Sequence, residues 1–137
     1  MLEELAYESK GKITGRRVLS VEIGIPILEI SVTGSGIMRG NIEVTETWTY
    51  WNRRSSHDFI YGEGLGLIKS NDSDDLATAT GHGIGKSNDS GKTRWYGAVF
   101  FTTTSKDKLV FPNNLVGVNG DEVDPLDNYV QKVWKWK

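Results

Sequence analysis

At 137 residues the chain has the size of one domain, spanning 1–137, and can bury about two-thirds of its unfolded surface. Charged residues make up 25% and hydrophobic ones 37%, a globular composition, and a formal net charge of −2 gives no reason to expect nucleic acid or an anionic membrane as partner. Cysteine is absent and histidine occurs only at His57 and His82, which removes a disulfide framework and a thiolate zinc site and argues against a multi-histidine metal centre, so no cofactor is expected.

The start, MLEELAYESKGK, has no apolar signal region, and no segment approaches the ~20 apolar residues of a membrane span. A cytoplasmic location is the expectation. Residues Glu4 to Ser20 alternate loosely and break at Gly11 and Gly15, as in a bent strand or a tight hairpin. Pro26 opens a cleaner strand with Leu28, Ile30 and Val32 on one face, and Gly34-Ser35-Gly36 reads as a turn. From Met38 to about Trp51, a long strand sets Ile42, Val44, Glu46, Trp48 and Tyr50 on one face. Asn52 to Asp58 reads as a polar loop.

The segment from Phe59 to Thr104 organises the rest. Glycine recurs at alternate positions twice, at Gly62, Gly64 and Gly66 and at Gly81, Gly83 and Gly85. Period two is the side-chain period of a strand, so each triplet occupies one strand face. The same string, KSNDS, follows each triplet at Lys69 to Ser73 and Lys86 to Ser90. Three antiparallel strands joined by two Asn/Asp/Ser turns are predicted. Asn71/Ser73 and Asn88/Ser90 fit the glycosylation pattern, but without a secretion signal they read as turns. Leu109 to Val118 reads as a strand with a bulge at Pro112 to Asn114, Gly120 to Asp127 as a turn, and Tyr129 to Trp136 as the last strand.

No segment has a helical apolar period. The prediction is an all-β fold, a single closed antiparallel β-barrel of about eight strands rather than a sandwich. Sequential hairpins dominate, few prolines or bulges blunt exposed edges, and glycine stripes allow a small barrel to bend.

The strings GKITGRRVLS at Gly11 to Ser20, YGEG at Tyr61 to Gly64, ATATGHGIG at Ala77 to Gly85 and NNLVGV at Asn113 to Val118, with the closing KVWKWK, extend over most of the chain. In these strings the chain resembles a family of small microbial proteins that look like lipocalin-like (calycin-type) or allene-oxide-cyclase-like barrels. That resemblance implies a closed barrel, often a homo-oligomer, and brings no catalytic residue with it.

Several patterns point to chemistry but lack its context. GHGIGKS at Gly81 to Ser87 fails the phosphate-loop spacing, with Thr80 where glycine is needed and no helix to follow. Asp72, Asp74 and Asp75 miss the calcium-loop spacing and read as a solvated turn. Arg53-Arg54 lies near His57 and Asp58 and reads as a solvated loop at a barrel mouth. Glu46 and Glu63 sit in rows of Trp, Tyr or Leu, where a covered carboxylate must be paired or hydrogen-bonded. Arg94, Arg53, His82 and Tyr61 are the partners available. Glu46 and Glu63 read either as a polar centre of the lumen or as a network fixing strand register; with the glycine face inside, Glu63 would lie outside. Trp134 and Trp136 are the candidates for an interface or for closing the barrel.

The expected ligand-binding set is Glu63, Tyr61, Glu46, Trp48, His82, Trp95 and Arg94, around a small apolar or amphipathic molecule in the lumen. Two alternatives stand beside it. One is an isomerase- or cyclase-type enzyme, with Glu63 and Tyr61 or His82 polarising the substrate. The other is a structural homo-oligomer with a filled lumen, which a cavity below ~300 Å³ would favour.

Overall fold

The computed structural model describes residues 2–54 and 59–136, and every long element in them is a strand. In chain order these are β1 (Leu2–Ser20), β2 (Ile27–Met38), β3 (Ile42–Arg54), β4 (Phe59–Ser70), β5 (Leu76–Ser87), β6 (Thr93–Thr102), β7 (Val116–Val123) and β8 (Asn128–Trp136). Each strand pairs antiparallel with the next, and β1 pairs with β8, so the sheet closes on itself. The closed antiparallel barrel of eight strands is thus the observed architecture. Trp134 and Trp136 lie on the closing seam, where the backbone pairs them with Leu5 and Leu2.

The glycine triplets lie mid-strand in β4 and β5 and face inward. The register explains why. It sets Trp48 opposite Gly66, Tyr50 opposite Gly64 and Trp95 opposite Gly85. A Cβ added to Gly66 would come within 2.6 Å of the Trp48 ring, and one on Gly85 within 2.6 Å of Trp95. Each ring occupies space that its neighbour's missing side chain leaves open, so bare positions on one strand house large residues on the next.

The interior has two storeys. Toward the end that holds the β2–β3 and β4–β5 turns, Met38, Val44, Ile68, Phe101 and Val133 are packed to 2% exposure or less. Residues 103–115 cross beneath them as a plug, with Leu109, Pro112 and Leu115 buried. The plug is tied to the β4–β5 turn, since Leu109 N–H donates to Asp75 (3.2 Å) and Lys108 pairs with Asp72 (2.7 Å). Hydrogen bonding to Lys108 holds the Asp72 carboxyl below its usual range. The acidic turn therefore anchors the plug. Toward the other end the lumen opens into a cavity.

Several sequence expectations differ from the fold, among them the strand read from Met38, which closes β2 while β3 begins at Ile42. Gly34-Ser35-Gly36 lies inside β2, and the turn falls at residues 39–41, where Arg39 and Gly40 take positive φ. Gly34 and Gly36 serve space rather than turning, because the rings of Tyr129 and Tyr7 stand over them. Leu109 to Val118 is not one strand. A 3-10 turn covers Lys108–Val110, Pro112 lacks the N–H a ladder needs, Asn114 takes φ 59°, and pairing resumes only at Val116. Gly120 to Asp127 is a turn only in its last residues, since β7 continues to Val123. There the Asp124 carboxylate accepts from the N–H of Leu126 and Asn128, both at 2.9 Å. The expected break in β1 is a register shift between Ile13 and Gly15 within one strand. β3 runs on through Arg54, and Ser55 to Asp58, with His57, lies outside the described residues.

Candidate functional site

Glu46 marks the boundary between the storeys. It is 0% exposed and lies directly across from Gly34 on β2. The absent side chain at Gly34 lets the Tyr129 ring reach across from β8, and its hydroxyl donates to Glu46 Oε2. Tyr7, over Gly36, donates to Oε1 at 2.6 Å, and Trp48 Nε1 donates to the same oxygen at 3.0 Å. Three donors from three strands converge on one carboxylate, which meets the requirement for burying such a group. Burial, and then the Glu46 charge, raise the Tyr7 and Tyr129 hydroxyls well above the usual tyrosine range, so both remain donors.

Beside this knot a second polar group faces the open storey. Asn119 and Asp121 alternate inward on β7, and Gln131 faces inward on β8 directly across from Asp121. Asn119 Nδ2 donates to Asp121 Oδ1 at 3.1 Å, and Ser9 donates to Gln131 Oε1 at 3.2 Å. Burial pushes the Asp121 carboxyl up to about 7; the Asn119 hydrogen bond opposes this and the nearby Glu46 charge adds to it. Protein surrounds Asp121 on nearly every side, yet part of its surface meets the cavity.

The cavity measures ≈ 370 Å³. Leu28, Ile30, Val32, Val99 and Val123 supply apolar wall, Trp48, Tyr50 and Trp95 supply rings, and Asn119, Asp121, Tyr129 and Gln131 form the polar floor. Tyr50 stacks on Trp48 with centroids 5.5 Å apart, which fixes both rings. At the mouth Arg16 grips Asp127 with two bonds of 2.9 and 2.6 Å.

The expected ligand set divides. Glu46, Trp48 and Trp95 face the interior, with Trp48 and Trp95 lining the cavity. Glu63, Tyr61, His82 and Arg94 face outward, because they alternate with the inward glycines and Trp95. Their side chains therefore do not form a polar centre in the lumen, and none of them meets Glu46. Arg94 pairs with Glu122 on the surface at 3.3 Å, Arg53 stands 5.9 Å over the Tyr61 ring, and His82 sits beside Phe100. Tyr7, Asn119, Asp121, Tyr129 and Gln131 complete the interior polar set and were missed, while Tyr50, read on the same face as Glu46, lines the cavity though it was not named as a site residue. The alternation of Tyr7, Ser9, Gly11 and Ile13, and of Tyr129, Gln131 and Val133, carried the signal for two of these strands. Reading Gly120 to Asp127 as a turn concealed Asp121.

No family model matches the chain, and no curated protein matches it. Solved structures do resemble it. A conserved protein of unknown function from Rhodopseudomonas palustris superposes with a TM-score of 0.78 at 14% identity, covering 98% of this chain and 97% of that one. A protein with unknown function from Clostridium acetobutylicum gives a TM-score of 0.79 at 13% identity, over 96% of this chain and 94% of that one. At such identity the likeness shows the fold alone. What is shared is the eight-stranded barrel. The finer lipocalin-like or allene-oxide-cyclase-like character finds no support in these matches. Among the described residues, no helix is long and apolar enough to cross a membrane.

Proposed function

We propose that the barrel binds a small amphipathic molecule in its upper storey, with the polar end on the floor and the apolar body against the walls. One observation carries the reading. The lower storey is filled to near-zero exposure, while the upper keeps ≈ 370 Å³, within the range of small-molecule sites (about 300–1,000 Å³). A barrel built only for its own stability has no reason to leave ≈ 370 Å³ open over a ring of polar groups. Native mass spectrometry of freshly purified protein tests this, together with Leu28→Trp, which fills the cavity from its wall. A co-purifying small molecule that Leu28→Trp loses supports the reading. Identical binding by the folded filled variant overturns it.

A reaction in the same lumen would rest on Asp121, a carboxyl that exchanges its proton near neutral pH while facing the cavity. An isomerase would convert the molecule it holds, so the bound compound would differ from the one supplied.

The outer surface supports self-association. With every edge closed, only faces remain for contact. Across β4–β6, Leu65, Leu67, Ile84, Tyr96 and Phe100 form an exposed apolar face, Tyr96 at 62% and Leu65 at 53%. Glu63 lies in the same face, directly beside His82, so the patch carries polar groups among its apolar residues. A second copy of this chain is the partner that this surface fits.

A further inference from the structure

The lumen holds two carboxylates, and among the described residues neither Glu46 nor Asp121 forms an ion pair. The basic residues at the cavity are Arg16 and Arg54 toward the mouth and His82, whose side chain stands on the outer face; Arg16 is held by Asp127. The two acids differ in what they lack. Glu46 takes three donors on its two oxygens. Asp121 takes amide donors only, from Asn119 and the nearby Gln131, and keeps a side toward the cavity.

A second acceptor stands beside it. Asn119, 8% exposed and facing inward, has a side-chain carbonyl with no donor among the described residues. Buried acceptors without partners are uncommon; this one has no accessible surface of its own, and a small rotation of its amide, beside the carboxyl that meets the cavity, turns it to a donor held there. The same space is walled by Tyr50, Trp95 and Tyr129. Ring faces carry negative charge density and attract cations within about 6 Å. Carboxylate, orphan carbonyl and rings thus all favour one kind of guest, positively charged and rich in N–H.

We propose that the lumen floor is a receptor for the ammonium group of an amphipathic amine, with Asp121 as counter-ion, the Asn119 carbonyl as acceptor, and Tyr50, Trp95 and Tyr129 as aromatic walls. This rests on the lumen being a ligand site and names the ligand's chemistry. The groups facing Asp121 are Glu46 and Tyr50 from β3, Trp95 from β6, Asn119 from its own strand, and Tyr129 and Gln131 from β8. Of these, Glu46 is the charged one, and its sign reinforces attraction for a cation. A proton on Asp121 competes with the amine for the same place. Because Asp121 exchanges its proton near neutral pH, amine binding strengthens as pH rises through that range and levels off above it.

Three probes of matched shape test this: 2-phenylethylamine, propylbenzene and 3-phenylpropanoate, read by the fluorescence of Trp48 and Trp95 and by calorimetry. The amine stays charged from pH 5.5 to 8, so any pH effect belongs to the protein. It is expected to bind at least ~10-fold tighter than the other two at pH 8, and to weaken about 30-fold by pH 5.5, as one competing proton at a group near 7 requires. Asp121→Asn is expected to bring the three probes within about threefold and to flatten the pH profile. If that variant does not fold, the wild-type ranking and pH profile decide alone. Propylbenzene binding as tightly as the amine, or 3-phenylpropanoate binding more tightly, overturns the inference and leaves the lumen reading standing. Failure of all three probes to perturb the tryptophans, each raised to its solubility limit, removes both.

Discussion

Replacing Glu46 with Gln tests whether the convergent hydrogen bonds hold the barrel together. The side chain keeps its size, but one carboxylate oxygen becomes an NH₂ donor. In the native arrangement Oε1 accepts from Tyr7 and Trp48, while Oε2 accepts from Tyr129. An amide oxygen placed toward Tyr7 and Trp48 turns its NH₂ toward the Tyr129 hydroxyl, donor against donor. Tyr129 must then rotate toward the cavity, and Tyr7 and Trp48 exchange a charged acceptor for a neutral one. Hydrogen bonds to charged groups contribute ~1.5–3 kcal/mol and neutral ones about 1, and an unmatched buried donor costs ~1–3. The net loss expected is about 2–4 kcal/mol, or a melting temperature lower by roughly 6–12 °C for a domain of this size. Urea unfolding followed by tryptophan fluorescence measures it, with the slope m unchanged from wild type. Stability within about 0.5 kcal/mol of wild type, or a gain such as buried ionic groups sometimes give on replacement, would refute the reasoning. Tyr7→Phe and Tyr129→Phe, each combined with Glu46→Gln, apportion the effect, because partners in one network lose less together than separately.

Three further outcomes follow from the same geometry. Between pH 4 and 7 the folded protein holds a proton at Asp121 that the unfolded chain has released, since burial raises this carboxyl to about 7 from an unfolded value of about 3.9. Stability contributed by Asp121 is therefore fully present only below the unfolded value, falls as pH climbs from about 4, and levels off above about 7. The stability difference between wild type and Asp121→Asn, followed by urea unfolding across that window, should shrink in this direction, and a flat difference would contradict the assignment. Gly66→Ala drives a methyl into the fully buried Trp48 ring and should cost ~1–3 kcal/mol, whereas Gly15→Ala, with nothing within 4 Å of the added carbon, should stay within about 0.5. Leu65→Lys with Tyr96→Lys should convert an oligomer to monomer in light scattering without lowering the melting temperature of the barrel; a wild type that is monomeric at 100 μM removes the proposed contact.

The barrel was legible because its signals are local. Alternating glycines at Gly62–Gly66 and Gly81–Gly85 define strands of period two, and the repeated KSNDS strings mark the turns between them. The facing of those strands was not legible, because alternation names two rows without saying which is inside. Burial of large rings decided it. Trp48 and Trp95 fill the room the glycines leave, which sends Glu63 and His82 outward. Glu46 was recognisable as an acid within an apolar row, and it proved buried. Its partners Tyr7 and Tyr129 come from the first and last strands, so no spacing in the sequence connects them to it. Asp121 was hidden by Gly120 and Pro125, turn-forming residues that flank a strand end whose pairing with β6 and β8 overrides their local preference.

The seam between β1 and β8 has a consequence for how the hoop is made. It joins strands from opposite ends of the chain, so every other ladder can form between neighbours while this one waits for distant segments to meet. Without β8, β1 and β7 would each present an unpaired border of the kind that recruits strands from other molecules. Loss of the last strand would therefore leave an open sheet with exposed edges rather than a smaller cup.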